Sequence, residues 1–100
     1  MPTGITCGYS DDRPIPVDTP VARVYNAQLI VLGETYANAA AKCAKETVGR
    51  PLDFIECLKN AKYNWRVGLN QVGGQYFGLS ADEAAVREAR AKVFRAAGWP

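Results

Sequence analysis

Between Asp18 and Gly49, apolar residues recur with the three- and four-residue spacing of an amphipathic helix. Asp18 or Thr19 can cap this helix, Pro20 suits its first position, and Gly49 is expected to end it. Its apolar stripe has seven members: Val21, Tyr25, Leu29, Leu32, Tyr36, Ala39 and Cys43. The pattern therefore predicts a first helix that is long for a chain of 100 residues.

Two further helices follow from the same spacing. The second is predicted to begin at Pro51, and the pair Gly73-Gly74 is expected to end it. Its apolar stripe consists of Phe54, Leu58, Ala61, Trp65, Leu69 and Val72. The third is predicted to begin at Ser80, because Ser80 and Glu83 have the spacing of a capping box.

Residues 1–17 contain glycines and prolines that break any helical period, so they are predicted to form an irregular N-terminal arm. Residues 18–100 then form one helical domain. The predicted fold is all-α, a small bundle with a long first helix, in which three helices are clear and a fourth is left open.

Composition narrows the class of protein. The chain is 48% hydrophobic and 22% charged, which is typical of a globular domain. No segment approaches the length of a membrane span, so no membrane partner is expected. The N-terminus lacks the pattern of a signal peptide. Cys7, Cys43 and Cys57 form no CxxC pair, so we expect reduced thiols, with Cys43 and Cys57 buried, and a cytoplasmic location.

The chain contains no histidine. Histidine is the commonest catalytic base and metal ligand, so its absence excludes Ser-His and Cys-His pairs and histidine metal sites. The cysteine spacing fits no zinc motif, and Gly73-Gly74 leads into no phosphate-binding loop. We therefore expect no catalytic residue, no metal and no cofactor. A Cys7-dependent enzyme is an alternative, in which Arg13 favours the thiolate.

Charge is unevenly distributed, although the net charge is only +2. Residues 1–40 carry two basic and four acidic side chains, whereas residues 41–70 carry six and three. Two candidate binding sites follow. An acidic arm that could meet a basic partner consists of Tyr9, Asp11, Asp12 and Asp18. A basic stripe that could contact nucleic acid, or another partner, consists of Lys59, Lys62 and Arg66.

Ile30 and Val31 are apolar but fall outside the stripe of the first helix. Surplus apolar surface of this kind is typical of a partner interface or of a homodimer. The alternative is that the N-terminal arm folds back over it, with Ile5, Ile15 and Val17 making the contact.

In size, helical content and lack of catalytic motifs, the chain resembles the small phage-encoded inhibitors of host defence, among them the anti-CRISPR proteins of type I systems. The resemblance implies a non-enzymatic inhibitor that covers a ribonucleoprotein complex where it would meet DNA, with acidic groups in phosphate-binding sites. The function predicted from the sequence is thus a protein-binding inhibitor or adaptor. Direct binding of nucleic acid through the basic stripe is the alternative.

Overall fold

Three α-helices make up the fold in the computed structural model, which describes residues 13–99. They are α1 (Pro20–Glu46), α2 (Pro51–Phe77) and α3 (Glu83–Ala96). The first two have 27 residues each and form an antiparallel hairpin, and α3 packs on one end of it. The described part measures 47 × 26 × 22 Å. The all-α prediction and the long first helix are confirmed, and residues 13–99 contain no fourth helix and no strand.

Helix α1 begins as predicted. The hydroxyl of Thr19 accepts a hydrogen bond from the backbone N–H of Ala22 at 3.1 Å, and Pro20 occupies the first turn. The helix ends at Glu46, and Gly49 in the following loop has a φ of +77°. Only glycine adopts that conformation without strain, so the loop between the two helices needs it.

The predicted end of α2 is wrong. The helix continues through Gly73 and Gly74 and ends at Phe77, followed by Gly78 in the left-handed conformation. A Cβ on Gly73 would lie 2.4 Å from Val86 Cγ1, and one on Gly74 would lie 2.9 Å from a backbone carbonyl oxygen of the next loop. The two glycines therefore allow the chain to fold back closely against α2.

The predicted start of α3 is also wrong. Its cap is Asp82, whose carboxylate accepts a hydrogen bond from the N–H of Ala84 at 3.0 Å. Ser80 lies before the helix and bonds through its carbonyl oxygen to the N–H of Asp82. Glu83 is consequently the first helical residue, where its negative charge interacts favourably with the positive end of the helix dipole.

The core lies where all three helices meet. Its buried members are Ile15, Ala22, Tyr25, Leu29, Trp65, Leu69 and Phe94. Arg90 of α3 is buried among them, and its guanidinium donates to the hydroxyl of Tyr25 and to the backbone carbonyl of Arg13. Hydrogen bonding of this kind is what makes a buried guanidinium tolerable.

The last residues of the N-terminal arm belong to this core. Ile15 is buried, and Asn26 of α1 bonds both its N–H, at 2.9 Å, and its carbonyl, at 3.2 Å. The guanidinium of Arg13 lies over the ring of Phe94 at 4.5 Å. The arm thus folds back on the helices from Arg13 onward, yet Ile30 and Val31 stay exposed.

Cys43 and Cys57 form a disulfide between α1 and α2, so the expectation of reduced thiols is wrong for these two residues. Their Cα atoms are 5.7 Å apart, within the usual range for such a bond. Cys43 is buried as expected, whereas Cys57 is half-buried. The expectation of a cytoplasmic location rested on reduced thiols. The disulfide removes that basis, because disulfides persist mainly in oxidising compartments.

Candidate interaction surface at the hairpin tip

Helix α3 covers only one half of the hairpin. Its first residue, Glu83, pairs with Arg66 of α2 at 2.9 Å, and its later residues pack toward the end where α1 begins and α2 ends. We call that end the open end and the other, where residues 47–50 join α1 to α2, the tip. From Arg66 to the tip, a distance of about 20 Å along the helix, α1 and α2 are not covered by α3.

Two contacts across the hairpin hold this tip half together. The disulfide joins the helices near the loop, and the rings of Tyr36 and Trp65 stack with centroids 4.9 Å apart. The buried apolar residues of this half are few, namely Cys43, Ala61 and Trp65. Two helices with so small a core are marginal by themselves, so the covalent bond supplies stability that packing alone does not.

The loop at the tip is fixed by hydrogen bonds. Thr47 bonds the carbonyl of Cys43 through both its backbone N–H, at 3.1 Å, and its hydroxyl, at 2.7 Å. Arg50 donates from its backbone to the carbonyl of Thr47 and from its guanidinium to the carbonyl of Glu46. These bonds satisfy carbonyls that the end of α1 leaves open, so the tip is a defined structure.

Large apolar side chains are exposed on this rigid tip. Val48 is 79% exposed and Leu52 80%, and Ile55, one turn further along α2, is also exposed. We call these three residues the tip surface. An open depression of about 320 Å³ adjoins it, lined by Ala44, Thr47, Gly49, Arg50, Pro51 and Phe54. Exposed apolar groups beside a concavity are typical of a protein-binding surface.

The tip carries charges of both signs that pair with one another. Arg50 contacts Asp53 at 3.2 Å, and Lys42 contacts Glu46 at 3.9 Å. All four side chains are largely exposed, so each pair contributes little to stability. Their effect is to leave the tip without a strong field of one sign.

The predicted acidic arm lies largely outside the described residues. Tyr9, Asp11 and Asp12 precede Arg13, where the description begins. Asp18 is described and exposed. It lies just before α1, and its carboxylate pairs at 2.8 Å with Arg23 in the first turn of that helix. The structure therefore gives Asp18 a local partner and leaves its binding role a prediction.

The predicted basic stripe lies on one side of α2, and its members differ in exposure and pairing. Lys59 is exposed, whereas Lys62 is half-buried. The guanidinium of Arg66 reaches both carboxylate oxygens of Glu83, at 2.9 and 3.2 Å. Glu83 also pairs with Arg87 at 3.0 Å. Arg66 thus connects α2 to α3, and its charge is offset by Glu83. The role of the three basic residues in binding stays a prediction.

The predicted apolar pair is separated. Ile30 and Val31 are both exposed, at 56% and 57%. Because consecutive helical residues point about 100° apart, the two side chains belong to different sides of α1. Their role in a partner interface stays a prediction.

Sequence reasoning missed the tip surface. Leu52 and Ile55 fall outside the apolar stripe of α2, which is the same signal that singled out Ile30 and Val31 on α1. Their position in the first two turns after a loop adds to that signal, because the end of a hairpin has few neighbours to cover it.

Within residues 13–99, no group of three cysteine or acidic side chains is arranged to hold a metal ion. None of the three described helices combines the length and the apolar character that crossing a membrane requires. No family model, curated protein or solved structure matches the chain.

Proposed function

We propose that this chain is a non-enzymatic binding protein that inhibits or recruits a protein partner by docking its hairpin tip on an apolar site. One observation carries the proposal: Val48 in the loop and Leu52 in the first turn of α2 are both largely exposed, at a tip fixed by a disulfide and by hydrogen bonds. Burying a large aliphatic side chain contributes about 1.5–3 kcal/mol. A loop that is already ordered loses little conformational freedom on binding.

The charge distribution favours a protein over a nucleic acid as the partner. Binding to phosphates needs several basic side chains along one surface. Arg66 is held by Glu83, and Arg50 at the tip is paired with Asp53. Direct binding of nucleic acid through Lys59, Lys62 and Arg66 is therefore the weaker alternative.

The disulfide favours a protein that acts in an oxidising compartment, such as the bacterial periplasm or the extracellular space. An inhibitor of a nucleic-acid-handling complex in the host cytoplasm, of the anti-CRISPR type, is the second candidate. Its supporting feature is the acidic arm with Tyr9, Asp11 and Asp12. That version requires the chain to bind its partner with Cys43 and Cys57 reduced, whereas the first requires the bond.

A photo-crosslinking amino acid at residue 52, compared with one at residue 30, tests the proposal. Both positions are exposed on a helix, but only Leu52 belongs to the tip surface. In extracts and medium of cells that encode the chain, we expect residue 52 to capture a defined protein. We expect Leu52→Glu to abolish co-purification of that protein and Ile30→Glu to retain it. Equal capture at both positions, or co-purification that survives Leu52→Glu, would contradict the proposal.

A mobility-shift titration with duplex DNA separates the nucleic-acid alternative. A shift that weakens steeply with salt and disappears in Lys59→Glu would establish that alternative. The proposal expects no shift at physiological salt. Repeating the crosslinking with reductant distinguishes the two compartments, since only the cytoplasmic version predicts undiminished capture.

A further inference from the structure

One side of the hairpin, opposite α3, carries no charge between Val21 and Asn38 of α1 and between Asn60 and Gln75 of α2. On α1 the exposed positions recur with three- and four-residue spacing, and on α2 an exposed row of amides lies across a cleft from them. The α1 row is Val21, Val24, Gln28, Val31, Thr35 and Asn38, and the α2 row is Asn60, Asn64, Gln71 and Gln75. None of these ten residues is charged, although 22% of the chain is. We call this side the neutral face.

The cleft shows that the two rows share one side. It has a volume of about 110 Å³, and Thr35 of α1 and Asn64 of α2 both line it. Its floor includes the stacked rings of Tyr36 and Trp65. Helix α3 lies elsewhere, because Arg66, which meets α3, is about 200° around α2 from Asn64.

The charged residues of α2 between Asn60 and Gln75 are Lys62 and Arg66, and both point away from the neutral face. The polar side chains on the face either have a hydrogen-bond partner already or can both donate and accept hydrogen bonds. The hydroxyl of Thr35 already donates to the carbonyl of Val31 at 2.9 Å, so it needs no partner from outside. Asparagine and glutamine amides both donate and accept, so a face of amides is complementary to itself.

We propose that two copies of this chain pair through their neutral faces, so that two hairpins form a four-helix arrangement. Loss of charged residues is the compositional mark of the centre of a protein interface. A second copy suits the face better than a charged partner, because self-pairing brings no charge against a like charge.

The available area is sufficient. From Val21 to Asn38 the face is about 25 Å long, and two packed helices are about 20 Å wide. Each copy therefore offers about 500 Å², which reaches the total of about 1,000 Å² that a biological interface should clear.

Sedimentation equilibrium of the full chain carrying Cys7→Ser tests the pairing without an intermolecular disulfide through Cys7. We expect a mass of twice 10.9 kDa at high concentration. Val31→Lys should weaken dimerisation at least about tenfold, because it places an unpaired ammonium in the interface. Asn64→Lys should weaken it similarly from the other wall of the cleft.

Ile30→Lys is the matched control, because Ile30 is as exposed as Val31 but lies on another side of α1. It should leave the dimer intact, and all three variants should keep their helical circular dichroism. A mass of 10.9 kDa at every concentration for the Cys7→Ser chain overturns the proposal. Equal dissociation in Ile30→Lys and Val31→Lys also overturns it. Leu52 lies outside the neutral face, so the outcome does not depend on the proposed function.

Discussion

The hydroxyl of Tyr25 on α1 accepts a hydrogen bond from the guanidinium of Arg90 on α3 at 2.6 Å, and both side chains are almost completely buried. The ring of Tyr25 also stacks on Tyr76 of α2, with centroids 4.7 Å apart. Tyr25 thus contacts the other two helices at one point. Because Arg90 also bonds the carbonyl of Arg13, the same contact fastens the N-terminal arm.

Tyr25→Phe tests the weight of this hydrogen bond. The variant keeps the ring and its stacking but removes an acceptor from a buried guanidinium, which should lower the free energy of unfolding by about 1–3 kcal/mol. Urea unfolding, with the same slope for both proteins, measures the difference. Tyr63→Phe is the control, since that hydroxyl is on an exposed ring. Equal stability of Tyr25→Phe and the wild type would show that the bond contributes nothing.

Alanine at two helical glycines should have opposite effects. Gly33 of α1 has open space around its missing Cβ, so Gly33→Ala should stabilise by about 0.5–1 kcal/mol through helix propensity alone. Gly73 of α2 faces Val86 Cγ1 at 2.4 Å from that position. Valine is stiff at χ1 and cannot turn aside freely, so Gly73→Ala should destabilise by about 1–3 kcal/mol.

Thermal unfolding of both glycine variants beside the wild type measures the two shifts. A Gly73→Ala protein as stable as Gly33→Ala would contradict the close packing of α3 on α2. Val86→Ala in the Gly73→Ala background should recover part of the loss, because it removes the atom in conflict.

Reduction of the disulfide should loosen the tip half first. A bond that closes a loop of this length, with a sequence separation of 14 between its cysteines, contributes about 3 kcal/mol by restricting the unfolded chain. We expect a lower melting temperature in reductant and faster amide exchange around residues 43–57. The double variant Cys43→Ser/Cys57→Ser should melt like the reduced protein and ignore reductant. A wild type that melts identically with and without reductant would contradict this role.

Local signals predicted the helices well where local chemistry decides them. Thr19 and Pro20 start α1, and Pro51 starts α2, because capping and the fixed φ of proline act within one turn. Gly73 and Gly74 misled because glycine pairs usually stop helices. Here the close approach of α3 and its loop outweighs the loss of helix propensity, and that approach is a tertiary fact.

The candidate site was less predictable than the fold. Cys43 and Cys57 are each seven residues from Arg50, so a hairpin turning there brings them level. That inference needs the hairpin first, and cysteine spacing alone does not supply it. The exposure of Leu52 depends on where α3 begins against α2 and on its direction from there, which the order of helices does not determine. The pairing of Arg66 within the basic stripe depends in turn on Glu83 reaching it.

At the start of α3, the sequence pattern and the structure give different capping residues. Ser80 and Glu83 have capping-box spacing, but the carboxylate of Asp82 is the group that accepts from the helix, at the N–H of Ala84. Asp82→Ala should therefore cost about 1 kcal/mol, and Asp82→Asn should cost much less because its amide oxygen still accepts. Ser80→Ala should leave the free energy of unfolding unchanged within error. If Ser80→Ala instead destabilises as much as Asp82→Ala, the helix begins at Ser80 in solution and the capping box of the sequence forms after all.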